Sequence, residues 1–247
     1  MTALVWDGCI NVRDLGGLLT ADGRVTRFNR VVRADNLDRL SPAGRRALVE
    51  HGVTRIVDLR FPEERDGALE EAGVEVVHIS VLGESRTAEW QAEWNAVMDA
   101  ATDATDYLVW SYGRFLELYR DRFAAAVRAV AVAPDGAVVV HCMGGKDRTG
   151  LLAALLLRVA GVPPDVIADD YALTEAALAP VQARWIAAAP DEAERRRRIL
   201  LEPAPAAAMR RLLEELDARH GGVPEYLRGA GVSDDELARV RNRLVAA

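Results

Sequence analysis

The stretch from residue 137 to 161 constrains the fold more than any other part of the chain. It reads AVVVHCMGGKDRTGLLAALLLRVAG, which is an apolar β-branched run, a glycine-rich loop and a second apolar segment that ends in glycine. An apolar run without polar alternation is typical of a parallel strand that is buried on both faces. The sequence therefore predicts a buried strand over 137–142 and a buried helix over 149–161, joined by a tight loop.

The rest of the chain alternates strand and helix patterns. In the helical pattern at 41–52, Ser41 is the expected cap and Gly52 the expected end. A strand is predicted at 53–60 and another at 74–81, and helices at 106–131, at 205–222 and at 233–246, where Ser233 and Glu236 form a capping box. Such alternation predicts one α/β domain over residues 1–247, with a mostly parallel central sheet flanked by helices and a helical C-terminal part, 165–247.

Two segments give weaker signals. Residues 84–110 are polar and weakly helical, with Trp90 and Trp94 four positions apart, so they are interpreted as a helical lid. Aromatic residues at this spacing are more often packing contacts within a helix, and that alternative stays open. Residues 195–205 are charged and then proline-rich, which indicates a surface connection.

Composition excludes several classes of protein. The net charge of −7 argues against nucleic-acid binding, so an anion would need a local positive site. Two cysteines make no disulfide framework, which favours a reducing compartment. The N-terminal segment lacks a signal-peptide pattern, and the most apolar stretch, which contains Arg158, is too short to span a bilayer. We expect a cytoplasmic protein, although secretion without a signal peptide is not excluded.

The glycine-rich loop has the composition of an anion site with a nucleophile. Cys142 and Arg148 are separated by five residues, Met143 to Asp147, at the N-terminus of a predicted helix. Gly144 and Gly145 let the backbone amides converge on one anion, and Arg148 can bind two phosphate oxygens. These groups also favour the thiolate form of Cys142, which is the nucleophilic form.

Neighbours of the loop have supporting roles in this interpretation. Thr149 can donate a hydrogen bond to the cysteine sulfur, and His141 orients the loop rather than acting as the base. A nucleotide-binding Walker A loop is excluded, since Val140 and Asp147 occupy positions where that motif needs glycine and Ser or Thr. The scattered histidines show no metal-ligand spacing, so no metal or other cofactor is expected.

The string HCMGGKDRTG resembles the signature of the cysteine-dependent protein tyrosine phosphatases, and most closely a bacterial subgroup with GKDRTG in the loop. Further similar segments are NVRDLGG (11–17), VVRADNLDRL (31–40), GVTRIVDLR (52–60), DVIADDYALT (165–174) and YLRGAGVSDDELARVRNRL (226–244). The resemblance implies a phosphatase fold and metal-free hydrolysis of phosphomonoesters through a phosphocysteine. Some members of the family also act on phosphoserine, phosphothreonine and phosphoinositides.

Lys146 is the only lysine among 31 basic residues. Lysine is a compact point charge whereas arginine is a planar fork, so the choice of lysine at this position needs a reason. We expect Lys146 to lie at the mouth of the loop, where its charge can reach a further phosphate or the leaving group.

Hydrolysis also needs a general acid near the leaving oxygen. The Trp-Pro-Asp loop of many tyrosine phosphatases is missing from the sequence. Asp147, inside the loop, is the first candidate. Asp58, at the end of a predicted strand, is the second, although it is equally suited to hold Arg60 or Arg148 in place. Cys9 is interpreted as a small, partly buried residue, and a redox role beside Cys142 stays open.

Several functions are compatible with these residues. The leading prediction is a protein tyrosine phosphatase that releases inorganic phosphate, with a possible dual-specificity or phosphoinositide activity. The alternative is a phosphatase of a small metabolite such as a sugar or nucleotide monophosphate. A binding module without turnover would lack one of the catalytic residues, and the KDRTG segment argues against a sulfurtransferase of the rhodanese type.

Overall fold

The computed structural model describes residues 2–67 and 74–246. Six strands form one sheet in the order β1-β2-β3-β6-β4-β5. They are β1 (Thr2–Ala3), β2 (Arg13–Asp14), β3 (Val31–Ala34), β4 (Val53–Asp58), β5 (Glu75–His78) and β6 (Ala137–His141). Strands β3, β6, β4 and β5 are parallel, and β1 and β2 add an antiparallel edge. The predicted fold class, a mostly parallel sheet flanked by helices, is confirmed.

Helices cover both faces of this sheet. They are α1 (Pro42–Glu50), α2 (Ala88–Ala100), α3 (Ala104–Leu118), α4 (Arg120–Ala131), α5 (Asp147–Val159), α6 (Pro164–Ala187), α7 (Glu192–Leu201), α8 (Ala206–His220), α9 (Val223–Arg228) and α10 (Asp234–Leu244). Short 3₁₀ helices lie at Leu37–Arg39 and Pro62–Glu64. The predicted caps are present, because Ser41 caps α1 and Ser233 forms a capping box with Glu236.

Strand β6 lies in the middle of the core, as its apolar sequence predicts. All of its residues are buried. Val138 and Val140 pack into the larger hydrophobic cluster, together with Leu152 of α5. Val139 faces the opposite side and packs with Leu48 of α1. The strand is therefore covered on both faces, and the loop after it starts from a fixed position.

Two predictions about elements were wrong. Residues 106–131 form two helices, which meet at Tyr119, where the backbone leaves the helical conformation at φ −118° and ψ 28°. The segment 195–205 is largely the second half of α7, which packs on α2 through an ion pair of 2.6 Å between Arg197 and Asp99. Neither the break nor this helix has a strong local signal, since both depend on contacts between helices.

The C-terminal ends of three parallel strands meet in register. His141 of β6 lies opposite Ala34 of β3 on one side and opposite Asp58 of β4 on the other. Ligand sites of open α/β sheets form at this edge. In the described ranges, no helix is both long and apolar enough to cross a membrane. The single domain and the cytoplasmic location stay predictions.

Candidate active site

Cys142 follows β6 directly and opens the loop that leads into α5. Its side chain is only 3% exposed. The loop ends at Lys146, after which α5 runs from Asp147 to Val159. Helix N-termini present unpaired amides and a positive partial charge. The residues from Cys142 to Arg148 thus surround the end of a helix that favours an anion, and we call them the phosphate loop.

The carbonyl groups of the phosphate loop are bound on its outer side. The backbone amide of Asn36 donates to the oxygen of Met143 at 3.1 Å, and the side-chain amide of Asn11 donates to that of Gly144 at 2.9 Å. Arg33 donates to the oxygen of Gly145 at 2.8 Å. Because these carbonyls point away from the interior of the loop, its amides are left to converge on an anion.

Gly145 is required at its position for two reasons. Its φ is +65°, in the left-handed region, and a Cβ atom there would lie 2.6 Å from the carbonyl oxygen of Ala34. Any side chain would push the loop away from β3. The two glycines that the sequence analysis singled out are therefore not equivalent, since Gly144 has a φ outside this region and only an ordinary contact with Leu178.

Behind the loop lies a buried ionic network. The carboxylate of Asp170, on α6, accepts hydrogen bonds from Arg13 at 2.8 Å and from Arg33 at 2.7 Å. Arg13 also donates to Asn11 at 2.7 Å. Burial, and secondarily the charge of Arg33, lowers the pKa of Arg13 to about 10. This network connects Asn11 and Arg33, which bind the loop carbonyls, and it brings together side chains from the segments 11–17, 31–40 and 165–174.

Arg148 lies against an acidic partner that sequence analysis missed. Its guanidinium donates to both carboxylate oxygens of Glu64, at 2.5 and 3.1 Å, and stands 5.4 Å from the ring centroid of Phe61. Burial alone would lower the pKa of Arg148, but the nearby Cys142 sulfur and Glu64 raise it above its ordinary value. Arg148 therefore keeps its positive charge, and Glu64 orients its guanidinium group. Glu64 lies in a 3₁₀ helix without any motif, so no sequence signal marked it.

Lys146 does not project freely from the mouth of the loop. Its ammonium donates to the carbonyl oxygen of Leu201 and, at 3.1 Å, to that of Pro203. Leu201 is the last residue of α7, so the ammonium binds at the negative end of a helix dipole. The side chain is 6% exposed, and its nitrogen is 3.7 Å from Asp147 Oδ1. The contact with a further phosphate stays a prediction, and the contact with α7 is an unforeseen one.

The two candidates for the general acid lie in different surroundings. Asp147 is 44% exposed, lines the cleft described below, and accepts a hydrogen bond of 2.5 Å from the hydroxyl of Tyr112 at Oδ1. Asp58 is fully buried and accepts from Arg60 at 2.8 Å and from Arg65 at 3.1 Å. Burial raises the pKa of Asp58, but the Arg60 hydrogen bonds and His141 outweigh it and hold the pKa well below its usual value. Asp58 therefore holds Arg60, not Arg148.

The three remaining residues that the sequence pointed to are His141, Thr149 and Cys9. Burial lowers the pKa of His141 to about 4, so the imidazole is neutral; its Nδ1 lies 3.3 Å from the oxygen of Cys142. The hydroxyl of Thr149 is buried and has no hydrogen-bond partner within the described part of the chain, so the expected bond to the sulfur is not formed. Cys9 is half-buried and donates to the oxygen of Asn36 at 3.5 Å.

A cleft of about 810 Å³ opens over the phosphate loop. Its aromatic lining includes Phe61, Trp90, Trp94, Tyr107, Tyr112 and Phe115. Trp90 and Trp94 of α2 stack with centroids 4.5 Å apart, and Trp94 stacks on Phe115 of α3 at 5.3 Å. The tryptophan pair therefore packs α2 on α3 and also lines the cleft. Residues 84–110 contain helices that cover the site, and their mobility stays a prediction.

Comparison with known proteins decides the family. The model of the tyrosine phosphatase family matches residues 4–246, nearly the whole chain. The chain belongs to this family. It is 31% identical over 261 aligned positions to a putative tyrosine-protein phosphatase of Cupriavidus necator, with 98% of this chain and 88% of that protein covered. It is 29% identical over 231 positions to a tyrosine-protein phosphatase of Nostoc commune, covering 86% and 73%.

A third relative is the triple specificity protein phosphatase PtpB of Mycobacterium tuberculosis. The identity is 25% over 279 positions, covering 96% of this chain and 97% of that protein. Family membership and these relatives make the protein a phosphoric monoester hydrolase of the tyrosine phosphatase type, with a tyrosine or dual-specificity phosphatase activity. The predicted family and enzyme class are confirmed.

Proposed function

We propose that the protein hydrolyses phosphotyrosine in proteins through a phosphocysteine, with Cys142 as nucleophile and Asp147 as general acid. The observation that carries the proposal is the position of Cys142. It lies at the base of a loop whose carbonyls are bound on the outside. It also lies beside Arg148, which keeps its positive charge although it is buried. An anion in this loop would meet converging amides and one guanidinium, which is the arrangement that stabilises a transferring phosphoryl group.

In the first step the thiolate of Cys142 attacks the phosphorus atom, so an S–P bond forms while the ester P–O bond breaks. Asp147 donates its proton to the departing oxygen, which leaves as a phenol or alcohol. In the second step a water molecule attacks the phosphorus atom and the S–P bond breaks. Asp147 takes up a proton from this water, and inorganic phosphate is released. Asp58, buried and paired with Arg60, takes no part in these proton transfers.

The cleft supports phosphotyrosine as the main substrate. Its aromatic lining suits a phenyl ring, and the cavity is larger than a sugar phosphate needs. This favours phosphotyrosine over the small-metabolite alternative. A wider scope that includes phosphoserine or phosphoinositides is a second proposal, supported by the arginines outside the phosphate loop that line the cleft, namely Arg39, Arg86, Arg184 and Arg197.

The purified protein should be screened with a phosphotyrosine peptide, a phosphoserine peptide, a phosphoinositide and sugar and nucleotide monophosphates. We expect the highest kcat/KM on the phosphotyrosine peptide, and unchanged activity in EDTA. A higher kcat/KM on a metabolite phosphate would contradict the proposed substrate, and loss of activity in EDTA would contradict the metal-free mechanism.

Cys142→Ser should lower kcat by roughly 10³-fold or more, because an alcohol ionises far less readily than a thiol. Binding of inorganic phosphate, measured by calorimetry, should survive. Rapid acid quenching of the native enzyme with substrate should trap a phosphorylated peptide that contains Cys142. Substantial turnover by the serine variant would rule out the phosphocysteine.

A further inference from the structure

The general acid is held by a chain of two buried tyrosine hydroxyls. The hydroxyl of Tyr112, on α3, lies 2.5 Å from Oδ1 of Asp147. The same hydroxyl lies 2.7 Å from the hydroxyl of Tyr171, on α6. Both rings are 1% exposed, and they pack edge to face with centroids 6.2 Å apart. Asp147 is the first residue of α5, so this chain of hydrogen bonds joins three helices.

The direction of these hydrogen bonds follows from the chemistry of the groups. Burial, with the charge of Asp147 as a further cause, raises the pKa of Tyr112 and of Tyr171 above their ordinary values, so both keep their protons. An ionised carboxylate only accepts hydrogen bonds. Tyr112 therefore donates to Oδ1 of Asp147, and Tyr171 donates to the oxygen of Tyr112, which has already used its proton.

Oδ1 of Asp147 also has a cation nearby, since the ammonium of Lys146 lies 3.7 Å from this oxygen. An oxygen that faces a hydroxyl donor and an ammonium is the less favourable place for an added proton. The proton of the neutral acid is therefore carried by Oδ2, the oxygen that Tyr112 leaves free. The choice of the oxygen that carries the proton matters because a general acid must present this proton within hydrogen-bond reach of the leaving oxygen.

We propose that Tyr112 is a positioning residue for catalysis: by binding Oδ1 of Asp147, it places the transferable proton on Oδ2 and holds that oxygen towards the leaving group. Tyr171 supports Tyr112 from behind. The inference rests on the proposed role of Asp147 as the acid. It also couples the chemistry to α3, the helix against which α2 packs, so the covering helices set the geometry of the proton donor.

The test compares phenyl phosphate with p-nitrophenyl phosphate, two substrates of similar size whose leaving groups differ in their need for a proton. Tyr112→Phe keeps the ring and removes the hydroxyl. We expect kcat on phenyl phosphate to fall roughly 10-fold, a part of the ~10²–10⁴-fold that general acid catalysis contributes. We expect little change in kcat on p-nitrophenyl phosphate and in KM on either substrate.

Tyr226→Phe is the matched control. Tyr226 is similarly buried, and its hydroxyl also donates one hydrogen bond, but to the carbonyl oxygen of Leu116 on α3, at 2.6 Å, rather than to the acid. This variant should lose a similar hydrogen bond and show no preference between the two substrates. If Tyr112→Phe folds poorly, Tyr171→Phe provides the second measurement, with a selective loss on phenyl phosphate of about 2- to 3-fold.

The double variant Asp147→Asn with Tyr112→Phe separates this inference from the proposed function. Residues that act as a unit are not additive, so Tyr112→Phe should cost nothing further once Asp147 is gone. Equal loss on both substrates in Tyr112→Phe, as in the control, or full additivity in the double variant overturns the positioning role alone. If Asp147→Asn itself is unselective, the acid assignment fails, and this inference fails with it, whereas the phosphocysteine is tested independently by Cys142→Ser.

Discussion

Lys146 uses a property that arginine lacks. Its ammonium binds the carbonyl oxygens of Leu201 and Pro203 while it stays 3.7 Å from a carboxylate oxygen of Asp147. Three acceptors around a single nitrogen suit an ammonium, which has three donors on one atom, whereas the donors of a guanidinium are spread over a plane. In a chain with only one lysine, this contact is a physical reason for the exception.

We predict that Lys146→Arg is not a conservative change. The planar fork cannot reach both carbonyls from the same position, so α7 should be held less firmly and the phosphate loop should shift. We expect kcat/KM on a phosphotyrosine peptide to fall about 10-fold, with faster hydrogen exchange over 192–201. Arg210→Lys is the control, because Arg210 forms an exposed ion pair with Asp165 and should tolerate the exchange. Wild-type kinetics in Lys146→Arg would show that charge alone matters.

Asp58 offers a second prediction at the scale of the residue. Asp58→Asn leaves the buried Arg60 with one carboxylate fewer, so we expect the free energy of unfolding to fall by about 3 kcal/mol. Any loss of kcat should be equal on phenyl phosphate and p-nitrophenyl phosphate, because Asp58 donates no proton to the substrate. Urea unfolding and steady-state kinetics measure the two effects. A loss confined to phenyl phosphate would make Asp58, rather than Asp147, the acid.

At the scale of the element, the sequence predicted best where the signals are local. Strand β6 and helix α5 could be predicted because the apolar run and the glycine-rich loop are contiguous. Capping likewise involves neighbouring residues, as with Ser233 and Glu236. The break at Tyr119 lacks glycine or proline, and the four arginines of 195–198 obscure any apolar period in α7. The break at Tyr119 and the helix α7 both depend on tertiary contacts, and sequence patterns carry no information about such contacts.

The site shows the same division between local and distant signals. The position of Cys142 and Arg148 in the loop follows from their spacing. The side chains that hold the loop come from far away, since Arg33 and Asp170 are separated by 137 positions. Both residues lie in segments that resemble the family, but the sequence of these segments indicates no role for Arg33 or Asp170. A pairing over such a distance requires the fold, because no periodicity or motif connects the two partners.

The network around Asp170 gives a prediction for α6. Asp170 is 1% exposed and is the carboxylate that both Arg13 and Arg33 contact. Asp170→Asn should lower the free energy of unfolding by about 3–5 kcal/mol, because two buried cations lose their counter-charge. Activity should also fall, since Arg33 binds the carbonyl of Gly145. Asp165→Asn, an exposed site at the start of the same helix, should change little. Equal stability of the two variants would contradict this account.

At the scale of the whole molecule, ionisable groups are buried along the C-terminal edge of the sheet. Asp58 and His141 lie opposite each other in register, at 0% exposure, with His141 Nε2 3.6 Å from Asp58 Oδ1. Burial lowers the pKa of His141, and the arginine pairing lowers that of Asp58. Both shifts favour the deprotonated form of the group in the folded protein. Lowering the pH should therefore destabilise the fold at the edge of the sheet that carries the active site.

Stability should therefore decline as the pH falls through the range from 6.5 to about 4, the ordinary and the folded pKa of His141. In this range the unfolded chain binds a proton at the imidazole and the folded protein does not, so acid favours unfolding by up to ~1.4 kcal/mol per pH unit. Between pH 7 and pH 5 we expect a loss of about 2 kcal/mol, measured by urea unfolding. His141→Asn should remove most of this slope. His220→Asn should retain most of it, because His220 is exposed and the lowering of its pKa, by desolvation and the charge of Arg120, occurs without the complete burial of His141. An unchanged slope in His141→Asn would show that other groups cause the acid sensitivity.

Below this range, protonation of Asp58 causes the further loss of stability, because its pairing with Arg60 is lost only when the carboxylate of the folded protein is protonated.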